Sequence, residues 1–149
     1  MSPKSQGSPQ TFSDRPQEGV VSPNLVHMER TSVNPWDWST QWFDQAVHVE
    51  SPTRWLVCAG QTSIGDDGRP RHVGDMAAQV EAAIANLEVV LHAADMTLDD
   101  VVRVTAYVTD VDAFRAQPRR WPGAAFTLIG VSRLAYPELM IELEAIAAR

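Results

Sequence analysis

Glu142 and Glu144 stand two residues apart in the C-terminal run Met140-Ile141-Glu142-Leu143-Glu144-Ala145-Ile146-Ala147. Alternate side chains of an extended chain share a face. Ile141, Leu143, Ala145 and Ala147 then line one face, and Met140, Glu142, Glu144 and Ile146 the other. Two carboxylates beside two apolar side chains suit a face covered by something other than water, such as a second subunit. A carboxylate held there can take or give a proton. The same pattern also suits a wet edge strand with a hydrophobic back. In that case Glu142 pairs with Arg103 or Arg133 and its role is structural.

Other reactive side chains form no such constellation. His27, His48, His72 and His92 have no ligand-like spacing with Cys58 or with a carboxylate, so no metal site is expected. No cofactor motif is present either: Gly65-x-x-Gly68 alone does not make a phosphate loop. No local motif argues for a Ser-His-Asp arrangement. Cys58, the single cysteine, sits in the apolar run Trp55-Leu56-Val57-Cys58-Ala59 and reads as a buried structural thiol.

At 149 residues with 44% apolar content, the chain is expected to form one domain. Twelve Lys and Arg face 19 Asp and Glu, a formal net charge of -7. With no basic stripe, binding of nucleic acid through phosphate neutralisation is not expected. The longest apolar stretches fall short of the ~20 residues that span a bilayer. The first thirty residues lack the apolar core of a signal peptide, so a cytoplasmic location and no membrane are the expectation.

These side chains must be carried by a regular framework, and the hydrophobic periods supply one. Residues 1–33, rich in Ser, Pro and Gln, read as a disordered or loosely attached arm. The folded domain is expected over 34–149. Strands are expected at Phe43 to Val49 and Trp55 to Ala59. Met76, Val80, Ile84, Leu87 and Leu91 recur at helical spacing behind Asp75, a candidate N-cap. Thr97 to Asp100 fits a capping box. A third strand alternates Val102, Val104, Ala106 and Val108 against Val101, Arg103, Thr105 and Tyr107. Pro118 and Pro122 confine any crossover helix largely to Asp112–Gln117. A fourth strand is expected from Phe126 to Val131. The order predicts an α+β layer, with helices on one face of a mixed sheet. Trp36, Trp38 and Trp42 lie within seven positions. Indoles so close together suit packing, a subunit contact or ligand stacking.

Several of these segments resemble the reactive intermediate deaminase (Rid, formerly YjgF) family. The Ile-Glu-Leu-Glu-Ala run at Ile141 and the preceding Val131-Ser132-Arg133-Leu134 carry the resemblance first. Gln45-Ala46-Val47 resembles the family's first-strand motif, and Cys58-Ala59-Gly60-Gln61 its Ser-Gly-Gln segment. Asp75 to Gln79 resembles the opening of its long helix, and Val104 to Asp110 its third strand. The likeness spans Asn34 to Arg149 and implies a chorismate-mutase-like fold assembled as a homotrimer, with clefts between subunits. It also implies a longer second helix than the two prolines allow here.

The resemblance further implies which residues would meet a substrate, and here the chain departs from the pattern. The arginine that holds a substrate carboxylate corresponds to Phe126, which offers no charge and no donor. The first-strand tyrosine corresponds to Phe43, the serine before Gly60 to Ala59, and a second-helix asparagine falls near Pro118. Glu142 matches the glutamate that positions or activates the hydrolytic water. Gly60 and Thr127 are retained. Arg133, past the end of the fourth strand, is a candidate replacement anchor for an anion. The expected function is action on a small reactive metabolite, such as water addition to an imine or enamine, in a cleft including Phe43, Gly60, Phe126 and Glu142. A non-catalytic module binding a small molecule or a protein is one rival. A specialised catalyst in a catabolic or natural-product pathway is another. Some family members carry a ribonuclease label, which this charge balance argues against.

Overall fold

The computed structural model describes residues 28–118 and 121–149. In chain order the strands are β1 (Glu29–Val33), β2 (Phe43–Asp44), β3 (Ala46–Glu50) and β4 (Trp55–Thr62). Helix α1 (Met76–Ala93) and strand β5 (Val101–Val108) follow. They are succeeded by α2 (Val111–Arg115), β6 (Trp121–Gly130) and β7 (Ile141–Ala148). Five strands form one mixed sheet in the order β2-β6-β5-β7-β4, while β1 and β3 pair as a separate two-stranded ribbon. β5 runs parallel to β6 and antiparallel to β7, and β7 runs antiparallel to β4. This is the α+β layer expected from the sequence.

The helical stripe does what its spacing demands. Met76, Val80, Ala83, Ile84, Leu87 and Leu91 are buried and pack on Val104, Ala106, Val108, Ile141, Leu143, Ala145 and Ala147. Each large side chain buried this way contributes about 1.5–3 kcal/mol. Asp75 caps α1 by accepting from the Ala78 N–H at 3.0 Å, so one of the orphan donors of the first turn is satisfied. The Thr97 N–H donates to the Asp100 carboxylate at 2.8 Å and fixes the turn that feeds β5. Asp110 caps α2 in the same way, through the Ala113 N–H at 2.9 Å. The crossover helix is therefore short, as the two prolines require.

Four boundaries differ from the sequence expectation. The first strand splits at Gln45 into β2 and β3. Side chains divert the backbone there: Asn34 Oδ1 accepts from the Gln45 N–H at 2.8 Å, and Asn34 Nδ2 donates to Asp44 Oδ1 at 2.6 Å. Ser32 Oγ donates to the other Asp44 oxygen at 2.6 Å, leaving this buried carboxylate bonded on both oxygens. Glu29–Val33, expected within a loose arm, is a strand because β3 pairs with its whole length. Most of the remaining arm lies outside the described residues. β4 extends to Thr62 through a bulge between Cys58 and Gln61. β6 begins at Trp121 rather than Phe126, since Trp121 and Ala125 pair with β2.

A register shift between Val101 and Arg103 also moves Val101 to the helix-covered face, against the simple alternation. Among the described residues no helix is long and apolar enough to cross a membrane.

Candidate functional site

The two faces of the five-stranded sheet have opposite characters. Strand pairing places Phe126 and Leu128 level with Val104 and Ala106, on the face that α1 covers. Glu142 sits between Thr62 of β4 and Tyr107 of β5, on the other face. Among the described residues no helix packs on that second face. Val57 is 74% exposed there, and Ile129 and Thr127 are also exposed.

Gly60 is what makes room for Glu142. A Cβ added at Gly60 would fall 1.7 Å from Glu142 Oε1, so the half-buried carboxylate lies directly over the glycine backbone. Two polar side chains of α1 set this geometry. Gln79, fully buried, donates to the Glu138 and His72 carbonyls at 2.8 and 3.2 Å and accepts from the Met140 N–H at 2.8 Å. It thereby pins the loop immediately before Ile141. Asn86, two turns along the same helix, donates to the Thr62 and Ile64 carbonyls at 2.8 and 3.0 Å and pins the end of β4. The two strands that flank the Glu142–Gly60 contact are thus both tied to one rigid helix. The sequence reading gave neither residue a role. Their signal was a polar side chain interrupting the apolar stripe of α1 at positions seven apart.

Glu144 is engaged differently. Tyr107 Oη donates to Glu144 Oε2 at 3.0 Å. That hydrogen bond, followed by desolvation and the charges of Glu144 and Glu142, holds the phenol above its usual value against the opposing pull of Arg103. Glu142 forms no ion pair with Arg103 or Arg133 among the described residues, whose ion pairs are His48–Glu50 and Arg71–Asp67. Among the described residues it is the carboxylate on this face without a hydrogen-bond partner.

On the covered side, β6 and α2 build an aromatic cleft of about 550 Å³. Phe126 is its centre. Its ring lies 5.8 Å from Phe43, 6.3 Å from Phe114 and 6.2 Å from Trp121, centroid to centroid, nearly parallel to the last two. Trp38 meets Phe43 edge-on at 6.0 Å, and Trp38 and Trp42 form an exposed rim. Such geometry favours flat apolar surfaces. The tryptophan cluster is therefore partly a wall of this cleft. Pro118, Gln117 and Arg115 complete its α2 side.

One chain thus divides the residues singled out from the sequence. Phe43 and Phe126 meet in the aromatic cleft, and Gly60 and Glu142 meet on the open face. Thr127 pairs with Thr105 on the Glu142 side of β6 and is exposed. Arg133 is exposed in the loop after β6, where its Nε donates to the Leu134 carbonyl at 3.3 Å. Cys58 is 2% exposed, and burial pushes its thiol up from the usual value, as a structural cysteine requires. Among the described residues no three of His, Cys, Asp and Glu gather to hold a metal.

Comparison with known proteins places this architecture. The sequence model of the endoribonuclease L-PSP family matches residues 39–149. A RutC family protein of Pyrococcus abyssi is 31% identical over 111 residues, covering 70% of this chain and 84% of its own. A member of the conserved Rid family from Yersinia pestis, YyfB, is 34% identical, with a TM-score of 0.70 over 80% of this chain and 98% of its own. The chain belongs to the Rid family. A Thermotoga maritima protein described as a putative endoribonuclease shares the fold at a TM-score of 0.55 and 28% identity, over 71% of this chain and 85% of its own. Within this Rid chain, the position that the resemblance assigns to a carboxylate-binding arginine is instead the hub of the aromatic cleft.

Proposed function

We propose that this Rid protein takes up a small, flat, largely apolar metabolite in the aromatic cleft, in place of the imines of ordinary carboxylate-bearing amino acids. The observation that carries this reading is Phe126, stacked on Phe114 and Trp121 and tilted against Phe43 where the family resemblance would put a guanidinium. An unpaired carboxylate buried against these rings would go without compensation. The free, buried Cys58 suits a reducing cytoplasm. The ribonuclease description of some relatives fits poorly with a net charge of -7. Titration with 1-naphthol, followed by tryptophan fluorescence, tests the cleft. Saturable quenching in the wild type, lost in Phe126→Ala, supports it, and absence of saturation overturns it.

A second reading rests on the Glu142–Gly60 contact. In it Glu142 activates water for hydrolysis of an imine, enamine or related unsaturated compound. The open face, with Val57, Ile129 and Ile146 uncovered or half-covered, packs against neighbours in a homotrimer. Because Phe126 and Glu142 face opposite sides of one sheet, a cleft containing both requires residues from two subunits. Light scattering at micromolar concentration should give three times the 16.4 kDa chain mass. A monomer mass removes the shared cleft and leaves the aromatic one.

A further inference from the structure

The aromatic cleft has one charged wall. Helix α2 contributes two consecutive residues to it: Phe114, buried against Phe126, and Arg115, exposed at the mouth. Consecutive helical positions point about 100° apart, so one turn of helix supplies both a floor and a rim. Among the described residues no carboxylate lines the cleft, and Arg115 has no ion-pair partner. The other polar side chain at this end, Gln117, donates its amide to the Ala113 carbonyl at 2.9 Å, and among the described residues Arg115 is the cationic side chain that lines the cleft. A guanidinium without an ion-pair partner among the described residues, beside an apolar cleft, offers a planar fork of donors to an anion.

We infer that the ligand of the cleft is a flat aromatic monoanion, an arene carrying one acidic group, with its ring against Phe126 and its anion on Arg115. The inference rests on the cleft reading above and adds the charge that the reading leaves open. It also assigns the anion anchor to α2 and not to Arg133, which lies outside the cleft and leans on its own loop. The ligand is a molecule whose anion lies at the edge of its ring system, because Phe114 is buried and Phe126 half-buried while Arg115, which lines the same cleft, is exposed. A planar fork holds such a carboxylate through two charge-assisted hydrogen bonds.

Calorimetric titration with 1-naphthoate and with its uncharged isostere 1-naphthamide separates the two claims. Wild type should bind the acid about tenfold more tightly than the amide. Arg115→Gln should remove that preference while leaving amide binding unchanged, and Arg115→Lys should keep part of it. Arg133→Gln should leave the preference intact. Equal binding of acid and amide in the wild type, or a preference that survives Arg115→Gln, overturns the anion anchor but leaves the apolar cleft standing. Binding of neither probe overturns the cleft reading itself, and the anchor with it. Loss of the preference in Arg133→Gln reassigns the anchor to Arg133 and also overturns the inference.

Discussion

The two faces of the five-stranded sheet are made by the same strands yet do different work. On β7, Ile141, Leu143, Ala145 and Ala147 disappear beneath α1, while Glu142 and Glu144 look out from the uncovered side. On β6, Phe126 and Leu128 line an aromatic cleft beside α2, while Thr127 and Ile129 stay exposed. The covered face is a packing problem, and at its aromatic margin the described residues form a cleft. The open face is a hydrogen-bonding problem, in which Tyr107 occupies Glu144 and leaves Glu142 over Gly60. The difference teaches that one sheet can carry unlike chemistry on its two sides: rings gather around Phe126 on one, and Glu142 lies over Gly60 on the other.

The contrast breaks most visibly at Glu142. If water chemistry takes place on the open face, Glu142→Gln keeps the shape but removes the titrating proton. Turnover should then fall by roughly 10²–10⁴ on any hydrolysable substrate that is found. Gly60→Ala should do nearly the same by displacing the carboxylate, and should also lower the thermal midpoint, because the added methyl group meets Cγ and Cδ of Glu142 as well as its carboxylate oxygen. Full activity in both variants would remove the open face from catalysis.

Stability should divide along the same line. Leu143→Ala, in a fully buried position, is expected to cost about 2–5 kcal/mol in denaturant unfolding. Its neighbour Glu144→Gln should cost under ~1 kcal/mol, the worth of one exposed hydrogen bond. Equal losses would mean that the open face is covered in solution more tightly than one chain shows. Phe126→Ala lies between them, at about 2–4 kcal/mol, since the ring is only partly buried but stacks on Phe114 and Trp121 and meets Phe43 at a tilt. It should also abolish aromatic-ligand binding while sparing any Glu142-dependent turnover. Loss of both would join the two faces into one site.

The smallest effect concerns pH. The Glu144 hydrogen bond raises the Tyr107 phenol above its ordinary value near ~10, so the folded state holds this proton more tightly than the unfolded chain does. Stability from this bond is full below the ordinary value and is lost as pH rises toward the raised one. The gap in thermal midpoint between wild type and Tyr107→Phe should therefore shrink as pH rises above the ordinary phenol value of about 10. A constant gap would show that the hydrogen bond does not set the titration.

What the sequence determined by itself were the elements with strong local periods. The stripe of α1, the alternation of β7, the caps at Asp75 and Thr97 and the proline-limited α2 all follow from nearest-neighbour physics. Gly60 and Glu142 were legible because a resemblance joined two segments far apart in the chain, and the structure brings those residues into contact. The split of the first strand at Gln45 was not legible, since it depends on Asn34 and Ser32 reaching across to a buried Asp44. Nor was the work of Gln79 and Asn86, whose partners are backbone groups of loops and a strand end that only the folded chain brings near. Tertiary structure alone decided that Phe126 and Glu142 face opposite sides. Which face a side chain takes depends on strand register, and register is settled by which neighbours the strand pairs with and where bulges fall.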